Sequence, residues 1–149
     1  MSLVGDYAPL PSDEWIRSQV EAWERSGGTE GTTLRDTGLA CVIVVNRGAR
    51  SGLLHRTPVM RVEHDGMYLA VGSKGGAPKD PLWVSNLRAD PAVEVWDGRQ
   101  RGDFIASEFP LGPQRNEWWE RAVAVFPSYA EYQSKTDRLI PVFLLEPTA

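Results

Sequence analysis

The residues best suited to chemistry are Ser73-Lys74-Gly75-Gly76-Ala77-Pro78-Lys79-Asp80-Pro81, a polar corner between an apolar run and a helix signal. Adjacent glycines let the backbone reach positive φ or approach a ligand closely. Successive N–H groups in such a turn make an anion-binding nest. Lys74 and Lys79 flank the glycines with no acid between them. Asp80 reads as an N-cap and Pro81 as a first helical position, so a helix N-terminus that favours negative charge would open just beyond. A second cationic stretch runs from Asn46 to Val62, with Arg47, Arg50, His55, Arg56 and Arg61 and no acid. Beside the corner it would attract a small polyanion. The competing reading is a tight strand-to-helix turn with solvated lysines and a solvated basic face.

Other chemistries lack their residues. Two histidines and the single Cys41 form neither Cys-x-x-Cys nor His-Glu-x-x-His, so no metal cage is expected. Lys74 precedes its glycines, whereas a phosphate-binding P-loop needs Gly-x-x-x-x-Gly-Lys-Ser/Thr. The nucleophile elbow and the dinucleotide fingerprint are missing too. Anion-binding groups with aromatics suit a cofactor that carries its own chemistry.

A chain of 149 residues with net charge −4 is expected to form one domain over residues 1–149 and not to bind nucleic acid. Cys41 allows no intrachain disulfide and sits among apolar neighbours, which favours a buried thiol and a reducing cytoplasm. No signal peptide is read at the N-terminus, and the longest apolar run, Leu39 to Val45, is far short of the ~20 residues of a membrane helix.

These groups need elements to hold them. Residues 12–26 read as an amphipathic lid helix, with Ser12 as its cap, Trp15, Ile16, Val20 and Trp23 on one face, and Gly27-Gly28 as its stop. Its acids argue against an anionic lipid surface, leaving peripheral membrane contact as a minor reading. A loop is expected over Thr29 to Gly38. Leu39 to Val45 reads as a strand buried on both faces. Thr57 to Val62 and Met67 to Gly72, around an Asp65-Gly66 turn, read as consecutive antiparallel strands. A short helix from Pro81 to Ala89 is closed by Asp90-Pro91. A hairpin from Ala92 to Phe109 turns at Asp97-Gly98. A helix from Pro113 carries Trp118, Trp119, Ala122, Val123 and Phe126 on its apolar stripe, and Ser128 caps a short helix bearing Tyr129 and Tyr132. Leu139 to Leu145 is a last strand, with Pro141 suggesting an edge or a bulge. The fold class is mainly β with flanking helices, about six antiparallel strands in a closed or partly open barrel.

Several of these motifs, in the same order and at compatible spacing, resemble the deazaflavin-dependent nitroreductase family of actinobacteria. They are Gly48-Ala49-Arg50-Ser51-Gly52, Thr57-Pro58, Ser73 to Ala77, Pro81-x-Trp83-x-x-Asn86-Leu87, Pro127-Ser128-Tyr129-x-x-Tyr132-Gln133 and Thr136-x-Arg138-x-Ile140-Pro141. The resemblance implies a split β-barrel of the FMN-binding, flavin-reductase type that binds the 8-hydroxy-5-deazaflavin coenzyme F-420, with FMN as the alternative. F-420 carries a phosphodiester and a polyglutamate tail. By resemblance, Arg50, Ser51, Thr57 and Pro58 line the cofactor groove. Lys74 with Gly75, Gly76 and Ala77 holds the phosphate, and Trp83 and Asn86 complete the wall. Arg56 and Lys79 are added for the acidic tail on charge alone.

The activity implied is hydride transfer from the reduced coenzyme to an apolar electron-poor acceptor: a quinone, an activated enone or lactone, or a nitroaromatic. Tyr129 and Tyr132 are the candidate proton donors, with Ser73 near the reactive ring edge. Ala49 replaces a basic residue of the relatives, implying a weaker grip on the tail. Phe126 replaces a tyrosine of the prodrug-activating branch, which argues against nitroimidazole reduction. A non-catalytic deazaflavin carrier is the alternative outside enzymes, and a monomer or homodimer is expected.

Overall fold

In the computed structural model, which describes residues 3–34 and 37–148, strand β1 (Cys41–Arg47) has an apolar sequence because both of its faces are covered. Val42 and Val44 point to one side, among Trp83, Val84 and Leu87 of helix α2 (Leu82–Ala89). Cys41, Ile43 and Val45 point to the other, among Val20 and Trp23 of helix α1 (Glu14–Ser26). Alternation along a strand puts successive side chains on opposite faces, so one strand feeds two cores.

The remaining strands are β2 (Leu54–Met60), β3 (Glu63–His64), β4 (Met67–Val71), β5 (Ala92–Asp97), β6 (Gln100–Glu108) and β7 (Val142–Pro147). The pairings between these strands are antiparallel, in a single curled sheet of order β2-β1-β5-β6-β7-β4-β3. Six full strands plus the two-residue β3 match the expected number. Their order does not, because β2 and β4 are not paired neighbours and β7 lies inside the sheet rather than at its edge. Pro141 immediately precedes β7 and so removes no ladder bond. Two prolines do lie in strands, Pro147 at the end of β7 and Pro58 in edge strand β2, whose outer side is covered at Leu54 by residues 6–8 through Ala8 N–H to Leu54 O and Leu54 N–H to Asp6 O.

Across the curl, the Tyr68 hydroxyl on β4 donates to Asp97 Oδ2 on β5 at 2.6 Å, and Arg61 Nε meets both Asp97 oxygens at 3.0 and 3.1 Å. Helices α3 (Pro113–Val125) and α4 (Ser128–Lys135) pack Trp118, Ala122 and Tyr129 on Leu69, Val71 and Val142, making a third core on the other face of β4 and β7. Among the described residues no helix is long and apolar enough to cross a membrane.

Some local expectations shift. Helix α1 starts at Glu14, and the residue at its cap is Asp13 rather than Ser12, with no side-chain cap bond. Gly27 in the left-handed region (φ 69°) ends it as expected. Asp65 (φ 54°) and Gly66 (φ 79°) form the two-residue turn between β3 and β4. The β5–β6 loop is Gly98-Arg99, one residue later than expected, because Asp97 still pairs with Gln100. In the Thr29–Gly38 loop, Thr33 bridges Ala40, while positions 35 and 36 lie outside the described residues.

Candidate active site

The three cores meet around a cavity of about 600 Å³. Val59 and Trp83 come from the first core, Met60, Val71, Phe126, Tyr129 and Tyr132 from the second, and Ile16 from the third. Thr57 and Pro58 of β2, the corner residues Ser73, Lys74 and Gly75, and Pro81 complete much of the wall. Trp15 and Asp13 close it from the start of α1, and Leu34 and Thr37 from the loop that follows. The volume lies in the ordinary range for small-molecule sites, roughly 300–1,000 Å³.

The corner is a 3-10 turn in which Lys74 (φ 45°), Gly75 (φ 64°) and Gly76 (φ 80°) are successively left-handed. That conformation costs a residue with a Cβ roughly 1–2 kcal/mol, so Lys74 is held there by its surroundings. The N–H groups of Gly76 and Ala77 are spent inside the turn, on Ser73 O (2.9 Å) and Lys74 O (3.1 Å). The expected nest is therefore smaller than the sequence implies. Its cation remains: Lys74 is exposed at the cavity wall and forms no ion pair among the described residues.

Asp80 does not cap α2, whose cap position is Pro81. Its carboxylate instead receives Arg138 Nη1 at 2.8 Å and faces Arg88 at 3.8 Å. Asn86 does not join the cavity wall. It donates to Asn46 Oδ1 (2.9 Å) and accepts from Ala49 N–H (2.9 Å), and Asn46 in turn donates to Val44 O and to Thr57 Oγ1. This buried amide ladder fixes the Gly48–Gly52 turn and the position of Thr57. Arg50, Ser51, Gly76 and Ala77 also lie off the cavity wall. Arg56 faces a smaller adjoining cavity of about 80 Å³ and is engaged by Glu24, Ala8 O and the Tyr7 ring.

On α4, Tyr129 sits in an aromatic group. Its ring meets Phe126 edge-on at 5.1 Å, Tyr132 at 6.3 Å and Trp119 at 6.2 Å. Burial, and then Tyr132, push the Tyr129 hydroxyl far above its ordinary range, so it stays protonated. Cys41 lies elsewhere, under α1, where burial raises its thiol to about 11 and Gln19 donates to its sulfur. That thiol is inert. No cluster of metal-ligating side chains occurs among the described residues.

Sequence reasoning brought Thr57, Pro58, Ser73, Lys74, Gly75, Trp83, Tyr129 and Tyr132 to one cavity. It gave no role to Asn46, visible as a polar residue at the end of an apolar run, or to Arg138, which the motif Thr136-x-Arg138-x-Ile140-Pro141 contains.

The family model described as F420H(2)-dependent quinone reductase matches residues 15–147. The F420H(2)-dependent quinone reductase Rv1261c of Mycobacterium tuberculosis is 39% identical over 93 residues, covering 60% of this chain and 62% of the relative's own length. A solved structure described as an F420-H2 dependent reductase is 50% identical, with TM-score 0.67, over 71% of this chain and 93% of that one. Another, described as a domain-swapped dimer, is 44% identical with TM-score 0.71, over 91% and 100% of the two chains. The fold is also that of an FAD-binding protein of Mesorhizobium loti, 15% identical with TM-score 0.53 over 73% and 79%. The architecture is a split β-barrel, as the motifs led one to expect.

Proposed function

Because the chain belongs to the F420H(2)-dependent quinone reductase family, we propose that it is a reductase that uses coenzyme F-420 to reduce an uncharged, apolar, electron-poor acceptor, a quinone first among them. The carrying observation is that one cavity joins an unpaired cation on a left-handed glycine turn to a buried, protonated phenol. An elongated anionic cofactor with a flat ring fits that pairing. Lys74 would hold its phosphate, Thr57, Pro58 and Trp83 its ring, and Ser73 would sit at the ring edge. Arg50 and Lys79, exposed outside the cavity, are left for the acidic tail.

When bound in reduced form, the deazaflavin supplies the hydride. The chain's own residues orient, exclude water and move the proton. Trp15, Ile16, Leu34, Met60 and Phe126 keep the acceptor space apolar, which strengthens every polar interaction made inside it. Tyr129 donates its hydroxyl proton to the acceptor oxygen as charge builds there, with Tyr132 alongside, and regains a proton from solvent when the product leaves. Positioned general-acid catalysis of this kind contributes ~10²–10⁴-fold. The apolar walls favour a quinone over a charged acceptor, and enones, lactones and nitroaromatics share the required electron poverty.

The same reading takes residues 1–149 as one unit with α1 as its lid, placed in the cytoplasm. A homodimer is its assembly, supported by the relative described as a domain-swapped dimer.

Titration of F-420 and of FMN separately, followed by tryptophan fluorescence, tests the reading. The expected result is salt-sensitive binding of F-420 alone, with Lys74→Ala weakening it by more than about tenfold, or ~1.4 kcal/mol, and with quinone-dependent oxidation of the reduced coenzyme. Preference for FMN, or binding of neither, overturns it. Binding without acceptor-dependent oxidation leaves a carrier.

A further inference from the structure

The Arg138 side chain is only 15% exposed and spends four donor contacts on one small region. Nε donates to Ala77 O (2.8 Å), Nη1 to Gly72 O (3.1 Å) and Asp80 Oδ1 (2.8 Å), and Nη2 to Ser73 O (2.7 Å). These acceptors lie on both sides of the left-handed turn Lys74–Gly76, so the guanidinium ties its entry to its exit. Its own backbone is fixed by α4, which packs directly against the turn at Gly76, and by α3. Gln133 of α4 donates to Arg138 O (2.8 Å) and accepts from Ile140 N–H (3.0 Å), and the buried Arg115 of α3 donates to Ile140 O (2.6 Å). Arg138 is thus the polar connection between the helix bearing Tyr129 and Tyr132 and the turn bearing Ser73 and Lys74.

We propose that Arg138 is a positioning residue that holds the Ser73–Ala77 turn in its left-handed form, thereby aiming Lys74 into the cavity and setting its distance from the tyrosine wall; its consequence for cofactor binding rests on the function proposed above. A planar guanidinium can reach three carbonyls and a carboxylate at once, whereas a lysine presents its donors from a single atom. Arg138→Lys therefore keeps the charge and loses the geometry. Released from the guanidinium, Lys74 relaxes out of its strained region and its ammonium leaves the site.

The test combines hydrogen exchange with a double-mutant cycle. In the absence of any ligand, Arg138→Lys should raise amide exchange across residues 72–80 by about tenfold while β1 and β5 keep their protection. With F-420 as the titrant, Arg138→Lys should weaken binding by about tenfold. Lys74→Ala should then add less than about twofold in the Arg138→Lys background, because the ammonium has already been lost. Unchanged exchange at 72–80, or binding losses that multiply in the double variant, overturns the proposal. If Arg138→Lys unfolds throughout, Asp80→Asn decides: exchange raised only at 72–80 supports the proposal, and unchanged exchange refutes it. If the wild-type protein binds no F-420, the proposed function falls, and the exchange result alone judges Arg138.

Discussion

Tyr68 on β4 and Asp97 on β5 share a 2.6 Å hydrogen bond although two strands, β6 and β7, separate them in the sheet. The bond is a chord across the curl rather than a rung of the ladder. Arg61 closes the same carboxylate from the segment between β2 and β3. Hydrogen bonds to a charged partner contribute about 1.5–3 kcal/mol, so Tyr68→Phe should lower unfolding free energy by that amount in urea titrations, with the cavity unaltered.

Asn86 supplies a second stability test. Replacing it with alanine leaves the buried Asn46 Oδ1 unpaired and frees the part-buried Ala49 N–H, a loss of about 1–3 kcal/mol for the buried group. Chemical denaturation of Asn86→Ala should show that loss, with F-420 affinity falling less than in Lys74→Ala.

The two corner glycines should respond unequally. At Gly75 (φ 64°) an added Cβ meets open space, so Gly75→Ala should cost only the left-handed strain, ~1–2 kcal/mol. At Gly76 (φ 80°) the same carbon would lie 2.8 Å from Tyr132 O and 3.1 Å from Tyr132 Cα. Backbone cannot retreat as a flexible side chain can. Gly76→Ala should therefore destabilise more than Gly75→Ala in thermal denaturation and also displace α4 from the turn, weakening F-420 binding.

Tyr129→Phe separates chemistry from binding. Its turnover with quinone should fall by at least ~10²-fold while F-420 affinity stays within about twofold of wild type. Burial holds the wild-type hydroxyl protonated beyond its ordinary value of 10.0. Raising the pH to 10 should therefore not titrate the donor away, and steady-state rates across that range check it.

Alkaline stability should report Cys41. Its thiol has an ordinary value of 9.0 and is raised to about 11 in the folded chain, chiefly by burial. Above pH 9 the unfolded chain sheds this proton while the folded one keeps it. The unfolded state then binds fewer protons, and stability falls as pH rises from 9 to about 11. Denaturant titrations should show that decline, and Cys41→Ala should flatten it between pH 9 and 10, above which the raised Tyr68 and Tyr129 hydroxyls add losses of the same sign.

Much of this architecture was legible because apolar pattern is local information. The unbroken run before Asn46 declared a strand covered on both faces, and the stripe through Trp118 and Ala122 declared a packed helix. The corner was legible from Gly75 and Gly76. Less accessible were relations made across the chain. Arg138 reaches partners 58 to 66 residues away, and Arg56 is taken by Glu24, 32 residues earlier. A count of unpaired positive residues cannot see such partners. Asp80 shows the same limit: before a proline and a helix it has the signature of a cap, yet a distant guanidinium wins its carboxylate. The resemblance named many of the residues around the groove, put Asn86 in its wall rather than behind it, and missed Asn46.

The placement of β7 between β6 and β4 governs the order in which the fold can be completed. During synthesis β6 and β4 emerge well before residue 142, each with one edge still waiting for a partner. A curled sheet cannot be sealed by local zipping under those conditions; it waits for a contact of high sequence separation, and such contacts make folding slow. The nascent chain therefore spends its most vulnerable interval with a strand-wide slot open in its wall, when a chaperone has most to protect.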